Sequence, residues 1–304
     1  MKWSSIVLPG LLAVAGGAFA QDASQEEAAK RQAEQLVASL HWKEGEIAVP
    51  SADAKFRLGS QFHYLEASDA QKVLEDLWGN PPDDTVLGMV VPKSHGLMDD
   101  ASWAVVVTYS DDGYVSDEDA KSIDYAELLS DMQEEIKDEN EARKDAGYEG
   151  LTLHRWAEQP HYDASNKKLY WAKDLEFEGS EGHTLNYDIR VLGRGGYLSL
   201  NAVANMESLP EVRADMQQLL PMVEFDPGAR YADYNAKTDK VAAYGIAALV
   251  GGGVAAKAGL FGKLGVLLLG LKKLLIPIGL VLAAFGKKIV GFFTGDKDRS
   301  KTVR

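Results

Sequence analysis

The side chains with the clearest potential for chemistry lie between residues 154 and 163. His154 and His161 flank an aromatic segment, and Asp163 follows closely. Imidazole and carboxylate groups together suit zinc and similar ions, so these three residues are the candidate metal ligands. Seven residues separate the two histidines, and a strand through this segment need not bring them together. Ordinary surface or hydrogen-bonded histidines are therefore the competing interpretation.

The same segment also holds the densest concentration of aromatic residues. Trp156, His161 and Tyr162 are candidates to line a groove for a peptide, glycan or lipid, because aromatic side chains anchor many ligands. Arg194 is a candidate ligand-facing cation, although its Arg-Gly-Gly turn needs no ligand to explain it. Trp171 lies on the apolar side of an alternating strand and is assigned to the core.

Known catalytic motifs are missing from the sequence. It contains no nucleophile elbow, no His-Glu-x-x-His and no phosphate-binding glycine loop. An EF-hand calcium loop around the acidic residues 111–119 would begin at Thr108, and Thr108 and Ser110 stand where carboxylates are needed. Turn and helix-cap chemistry therefore explains these acids more simply. We therefore expect no cofactor and favour a protein that is not an enzyme.

Charge is divided unevenly along the 304 residues, whose net charge is -14. Residues 21–240 carry 44 acidic and 21 basic side chains, whereas residues 241–304 carry two acidic and ten basic ones. An acidic body argues against nucleic-acid binding, because phosphate contacts need the opposite charge. The basic end suits anionic lipid headgroups instead.

Both ends of the chain predict membrane targeting. Residues 1–20 resemble a secretory signal, with Lys2, a short apolar run and an Ala-Phe-Ala cleavage site. Residues 241–293 are strongly apolar and predict a membrane anchor, with a span at about 241–262. A basic apolar interfacial segment or a second span follows, and 294–304 is a charged tail. Small residues recur every fourth position and predict helix packing in the membrane: Ala247, Gly251, Ala255 and Gly259.

The segments between these ends predict an α+β fold, an antiparallel sheet covered by helices, with a C-terminal transmembrane helical anchor. Residues 21–44 form an N-terminal helix or spacer, 45–226 the exported domain and 227–240 a polar tether. Strands are predicted from alternating apolar residues, as in residues 168–179, and the longest helix spans residues 125–146. Helices do not alternate with every strand, which argues against a doubly wound nucleotide fold.

Several blocks of this sequence together resemble an uncharacterised family of bacterial membrane-anchored proteins. The blocks are GYVSDEDA at 113–120, the RWAEQPHYD and LYWA segments, LNYDIRVLGRGGYLSLN and the Ala/Gly-rich start of the anchor. The resemblance covers most of the chain from about Gly45 onward. It implies a signal peptide, an exported domain and a C-terminal anchor, and it transfers no catalytic residue because the family's function is unknown.

Topology and charge together predict a non-enzymatic envelope protein at the bacterial inner membrane, with its acidic domain on the periplasmic side. Its expected partners are the lipid bilayer and an envelope protein. An envelope hydrolase or transferase with a site near His154, His161 and Asp163 is one alternative. A membrane-active or oligomerising module, self-associating through the anchor, is the other.

Overall fold

A computed structural model describes residues 27–80, 82–99, 101–145 and 149–251. The predicted signal peptide, the anchor beyond Gly251 and the charged tail lie outside these residues. Contacts divide the chain into two units, residues 1–38 with 276–304, and residues 39–275. Of the first unit the structure describes only helix α1 at 27–38, which matches the predicted N-terminal helix and carries an Arg31–Glu27 ion pair.

The second unit is built on a seven-stranded sheet in which every neighbouring pair is antiparallel. Its strand order is β3-β4-β5-β10-β9-β8-β7, and β1, β2 and β11 form a separate antiparallel sheet. The strands are β1 Glu46–Val49, β2 Ala54–Arg57, β3 Phe62–Glu66, β4 Val86–Pro92, β5 Ala104–Ser110, β6 Tyr114–Ser116, β7 Leu151–Asp163, β8 Lys168–Phe177, β9 Thr184–Leu192, β10 Tyr197–Asn205, β11 Val223–Phe225 and β12 Val241–Gly245.

Four further helices lie in the described part of this unit, and the antiparallel sheet with its helices confirms the α+β class. They are α2 Ala67–Lys72, continued by a π-helical turn at Val73–Leu77, α3 Tyr125–Asp145, α4 Leu209–Leu219 and α5 Ile246–Gly251. Short 3-10 turns lie at Pro50–Ala52, Met206–Ser208, Leu220–Met222 and Tyr231–Asp233. None of the described helices has the length and apolarity needed to cross a bilayer.

One face of the seven-stranded sheet packs against α4 and the small sheet. The side chains of Phe56, Phe62, Tyr187 and Met216 are buried together there. Each comes from a different element, so this layer joins the two sheets and the helix. Burying one side chain of this size contributes about 1.5–3 kcal/mol, so each of these four residues stabilises the fold substantially.

The opposite face is covered by α3 at one end and by α5 with β6 and β12 further along. Met132 of α3 packs on Leu153 and Phe177 at the β7–β8 edge. Trp171 of β8 packs with Ile246 of α5, and its burial agrees with the core assignment made from the sequence. This part of the sheet is thus covered by elements distant in sequence.

Residues 227–251 contact the domain at several points. Tyr234 stacks on Tyr114 with ring centroids 3.8 Å apart, and Asp239 forms an ion pair with Arg194. Strand β12 then pairs in parallel with β6, and the carboxylate of Asp119 accepts the first two amides of α5. The predicted tether and the first eleven residues of the predicted anchor therefore lie in the folded domain.

The acidic loop before α3 makes several contacts that hold residues 231–247 on the domain. Asp117 accepts hydrogen bonds from Tyr162, Lys167 and Tyr231. Burial opposes ionisation of Asp117, but Lys167 and the two tyrosine hydroxyls outweigh it and lower the pKa of the carboxyl. Asp124 caps α3 by accepting the amides of Ala126 and Glu127. The loop thus works through helix caps and ion pairs, as its turn-rich sequence indicated.

Candidate functional site

A cluster of histidine and carboxylate side chains lies at one end of the sheet, next to the sheet edge. His154 on β7 places its Nε2 2.6 Å from Oε2 of Glu176 on β8. The ring of His154 also stacks on His183, with centroids 4.5 Å apart. His183 precedes β9, and its Nδ1 lies 2.6 Å from Oδ1 of Asp174. Three adjacent strand segments therefore bring four groups suited to metal binding together.

Pairing of the strands explains why these residues meet. Leu153 pairs with Leu175 across β7 and β8, and Leu175 pairs with Thr184 across β8 and β9. Glu176 lies opposite Thr152, two positions before His154 on β7, and His183 directly precedes Thr184, so the three side chains lie near one another across the strands. The pairing register of the β7–β8 and β8–β9 hairpins is the signal that could have pointed to Glu176 and His183 from the sequence.

His161 and Asp163, the other metal ligands proposed from the sequence, lie elsewhere on β7. Seven residues of extended strand span roughly 20 Å, which separates them from His154. The His161 ring lies 5.1 Å from that of Tyr170, and Asp163 caps the following turn by accepting the amides of Ser165 and Asn166. Strand geometry thus divides the three residues between two places.

Each of the four candidate ligand-binding residues contacts a different partner within the fold. Trp156 donates its indole N–H to the carbonyl of Tyr125, at 3.0 Å. Tyr162 donates to Asp117, and burial together with this hydrogen bond raises the pKa of Tyr162. His161 packs on Tyr170 as described above. The remaining contacts are those of Arg194.

Arg194 makes a two-pronged ion pair. Its Nε and Nη2 donate to the two carboxylate oxygens of Asp239, at 2.7 and 2.8 Å, and its Nη1 donates to the carbonyl of Gly228. The guanidinium holds the pKa of Asp239 well below its usual range. Arg194 therefore fastens residues 228–239 to the turn before β10.

Two of the four residues predicted to pack membrane helices lie in α5. Gly251 approaches Leu128 of α3 so closely that a Cβ at Gly251 would lie 2.6 Å from its Cδ1. Ala247 donates its amide to Asp119. These contacts lie within the domain. Ala255 and Gly259 lie outside the described residues.

A buried ionic network occupies the α3- and α5-covered face at the middle of the sheet. Asp188 on β9 accepts hydrogen bonds from Arg190 and Asn201, at 3.0 and 2.9 Å, and lies 3.4 Å from Nζ of Lys173. Arg190 lies over the ring of Trp171. Burial opposes ionisation of Asp188, but the two cations outweigh it and lower the pKa of its carboxyl. The alternation of residues along β9 places Asp188 on one face of the sheet but does not identify the residues that contact it.

The surface beside β7 combines a groove with strong negative charge. Between α3 and β7 lies a groove of about 400 Å³, lined by residues of both elements. Gln133 and Asn140 bridge it by donating to the backbone carbonyls of Leu153 and Leu151. Helix α3 carries eight acidic and three basic residues, and seven of the eight acids are exposed. This helix presents the clearest charged surface in the described part of the chain.

Two solved structures show distant similarity to this chain. Cyanobacterial PsbP from Synechocystis sp. PCC 6803 is 8% identical, with a TM-score of 0.34, over 62% of this chain and 93% of that one. The Ran-binding protein Mog1p from Saccharomyces cerevisiae is 9% identical, with a TM-score of 0.32, over 62% of this chain and 96% of that one. At scores this low, neither similarity indicates a function. No curated protein matches the chain.

A family model does match. Residues 41–286 fit a family described as protein of unknown function (DUF2167). The match includes all of the described sheet and continues through most of the apolar C-terminal stretch. It agrees with the resemblance to an uncharacterised family noted in the sequence.

Proposed function

The chain belongs to this DUF2167 family, and we propose that it is a non-enzymatic binding protein of the bacterial envelope, anchored in the inner membrane with its domain on the periplasmic side. The signal-like residues 1–20 support export, and the apolar stretch beyond α5 supports the anchor. Because residues 241–245 pair as a strand, the helical part of the proposed anchor begins no earlier than Ile246.

The observation that carries the binding proposal is the exposed acidic side of α3. Only Met132 of this helix is fully buried, with Leu128, Leu129 and Ile136 partly so, and the acids project away from this stripe. A basic protein surface is the complementary partner, since opposite charges speed encounter and set orientation.

Crowding of like charges on α3 points in the same direction. Burial raises the pKa of Glu135, and the carboxylate of Glu139, one turn away, raises it further. A bound basic group would relieve this repulsion and lower the pKa of Glu135. A cationic partner would thus relieve the repulsion between these carboxylates more than solvent does.

Membrane topology gives the first test. We expect a tag after Ala20 to be digested by protease in intact spheroplasts, because the domain is exported. A tag at the C-terminus should stay protected, since a single span places the basic tail inside, as the positive-inside rule requires. Lysed spheroplasts should lose both tags. Digestion of the C-terminal tag in intact spheroplasts would exclude the single span, and protection of the first tag would exclude export.

Partner binding gives the second test. A photo-crosslinking residue at Asp138 should form a specific adduct in cells, whereas one at Gln217, exposed on α4, should not. Reversing three charges on one side of α3, at Glu134, Asp138 and Glu141, with the crosslinker moved to Asp131, should reduce the adduct at least about tenfold, because rim charges set the association rate. Mass spectrometry should identify a partner with a basic surface.

The matched control for this experiment is Glu207→Lys, which reverses an exposed charge away from α3. It should leave the adduct unchanged. An adduct that survives reversal on α3, or that forms equally from α4, would contradict the proposed binding surface.

A further inference from the structure

We infer that His154, Glu176 and His183 form a binding site for a divalent transition-metal ion of the zinc class. One ligand atom from each residue lies within 4.8 Å of the other two, and within the described residues this is the one group of three that meets this condition. Two imidazoles and a carboxylate are a ligand set found in catalytic zinc sites. The set differs from the one predicted along β7, because it is assembled across strands.

Asp174 prepares His183 for this role. Its carboxylate is buried and lies 2.6 Å from Nδ1 of His183, so the proton of the neutral ring is held at Nδ1. The lone pair is then at Nε2, the nitrogen left for an ion. Arg155 donates to the other oxygen of Asp174 at 2.9 Å and keeps the carboxylate in place. A buried carboxylate behind a ligating histidine is a common support of zinc sites.

His154 and Glu176 complete the set from the solvent side. Their side chains are 37% and 46% exposed and currently contact each other, so an ion can replace that direct contact after a rotation of the two side chains. The stack of His154 on His183 must open in the same step, because a metal lies in the plane of each imidazole it binds. Rotation is available to both side chains because each is more than a third exposed.

Three protein ligands leave a fourth tetrahedral position for water. Such an open position distinguishes catalytic from structural zinc sites. It faces solvent here, because His183 is also 38% exposed. His154 also lines the groove between α3 and β7, so the site adjoins that groove.

Metal titration tests this inference on the full chain in detergent after treatment with a chelator. Co²⁺ should bind with one ion per chain and give visible ligand-field absorption, and Zn²⁺ should displace it. His183→Asn should weaken binding by about 100-fold or more, because a ligand is lost. Asp174→Asn should weaken it by about 10–100-fold and shift the Co²⁺ spectrum, since it orients a ligand without touching the ion.

His161→Asn is the matched control, since His161 is also exposed on β7 and its ring packs on Tyr170. It should leave the Co²⁺ affinity unchanged. Urea unfolding of the metal-free variants separates loss of binding from loss of fold. The inference is overturned if the wild-type chain shows no saturable Co²⁺ binding, or if His161→Asn weakens binding as much as His183→Asn does.

Discussion

Asp188→Ala is expected to destabilise the folded protein by about 3–5 kcal/mol, because it leaves Lys173 and Arg190 buried without their shared anion. Asn201 loses its acceptor as well. Urea unfolding at neutral pH, followed by circular dichroism, measures the change as a lower midpoint. Asp131→Ala, at an exposed position of α3, should change stability by no more than about 0.5 kcal/mol.

The pH dependence of stability, measured by acid unfolding, should also report on the Asp188 network. The folded-state pKa of Asp188 lies below its unfolded value of about 3.9, so the unfolded chain binds the proton more readily. The stabilisation is therefore complete above about pH 4 and is lost as the pH falls through the folded-state pKa. Asp188→Ala should lose this part of the pH dependence, and an identical acid profile in both proteins would contradict the assignment.

Replacing all three charged residues of the network should largely restore the stability lost in Asp188→Ala. The triple variant Lys173→Met, Asp188→Leu and Arg190→Met removes all three charges and keeps similar side-chain volumes. Apolar replacements of buried ion pairs are often neutral or stabilising, so stability should recover to within about 1–2 kcal/mol of the wild-type protein. A triple variant as unstable as Asp188→Ala would show that the position, and not the unpaired cations, is responsible.

Gly196→Ala is expected to have the second large effect, lowering stability by about 3 kcal/mol or preventing folding. A Cβ at Gly196 would lie 1.8 Å from the carbonyl oxygen of Ser110, in the backbone of the neighbouring strand. Overpacking that pushes on backbone cannot be relieved by a rotamer change. Tyr197 pairs directly with Ser110, so the clash acts on the β5–β10 register.

Gly195→Ala is the control in the same turn. Its Cβ would meet only the Tyr109 hydroxyl, at 3.5 Å, and neither glycine has the left-handed φ that alanine avoids. Stability should therefore change by less than about 1 kcal/mol. Equal melting temperatures for the two variants would contradict the predicted clash at Gly196.

Local patterns were sufficient to predict most of the large elements. Alternation predicted a strand within residues 168–179, which is β8 at Lys168–Phe177, and the stripe after Asp124 predicted α3, with its cap confirmed. These signals depend on neighbours one to four residues apart, so they are readable without the fold. The antiparallel α+β class followed from the order of such elements.

Pairing between distant segments was not readable in this way. Strand β12 was predicted as the start of a membrane span because its residues are apolar, but it pairs with β6, more than a hundred residues earlier. Apolar residues are equally suited to a sheet and to a bilayer. Only the partner strand, held by the Asp117 and Asp119 attachments, decides between them.

The candidate metal site shows the same division. Sequence reasoning identified His154 but chose His161 and Asp163 beside it, because nearness along the chain was the available guide. Glu176 and His183 join His154 through the register of two hairpins. Composition, charge and local periodicity thus determined the class of the fold, and residue type pointed to His154 as a candidate ligand. Tertiary pairing alone decided which groups meet, since strand register brings together residues that no local pattern connects.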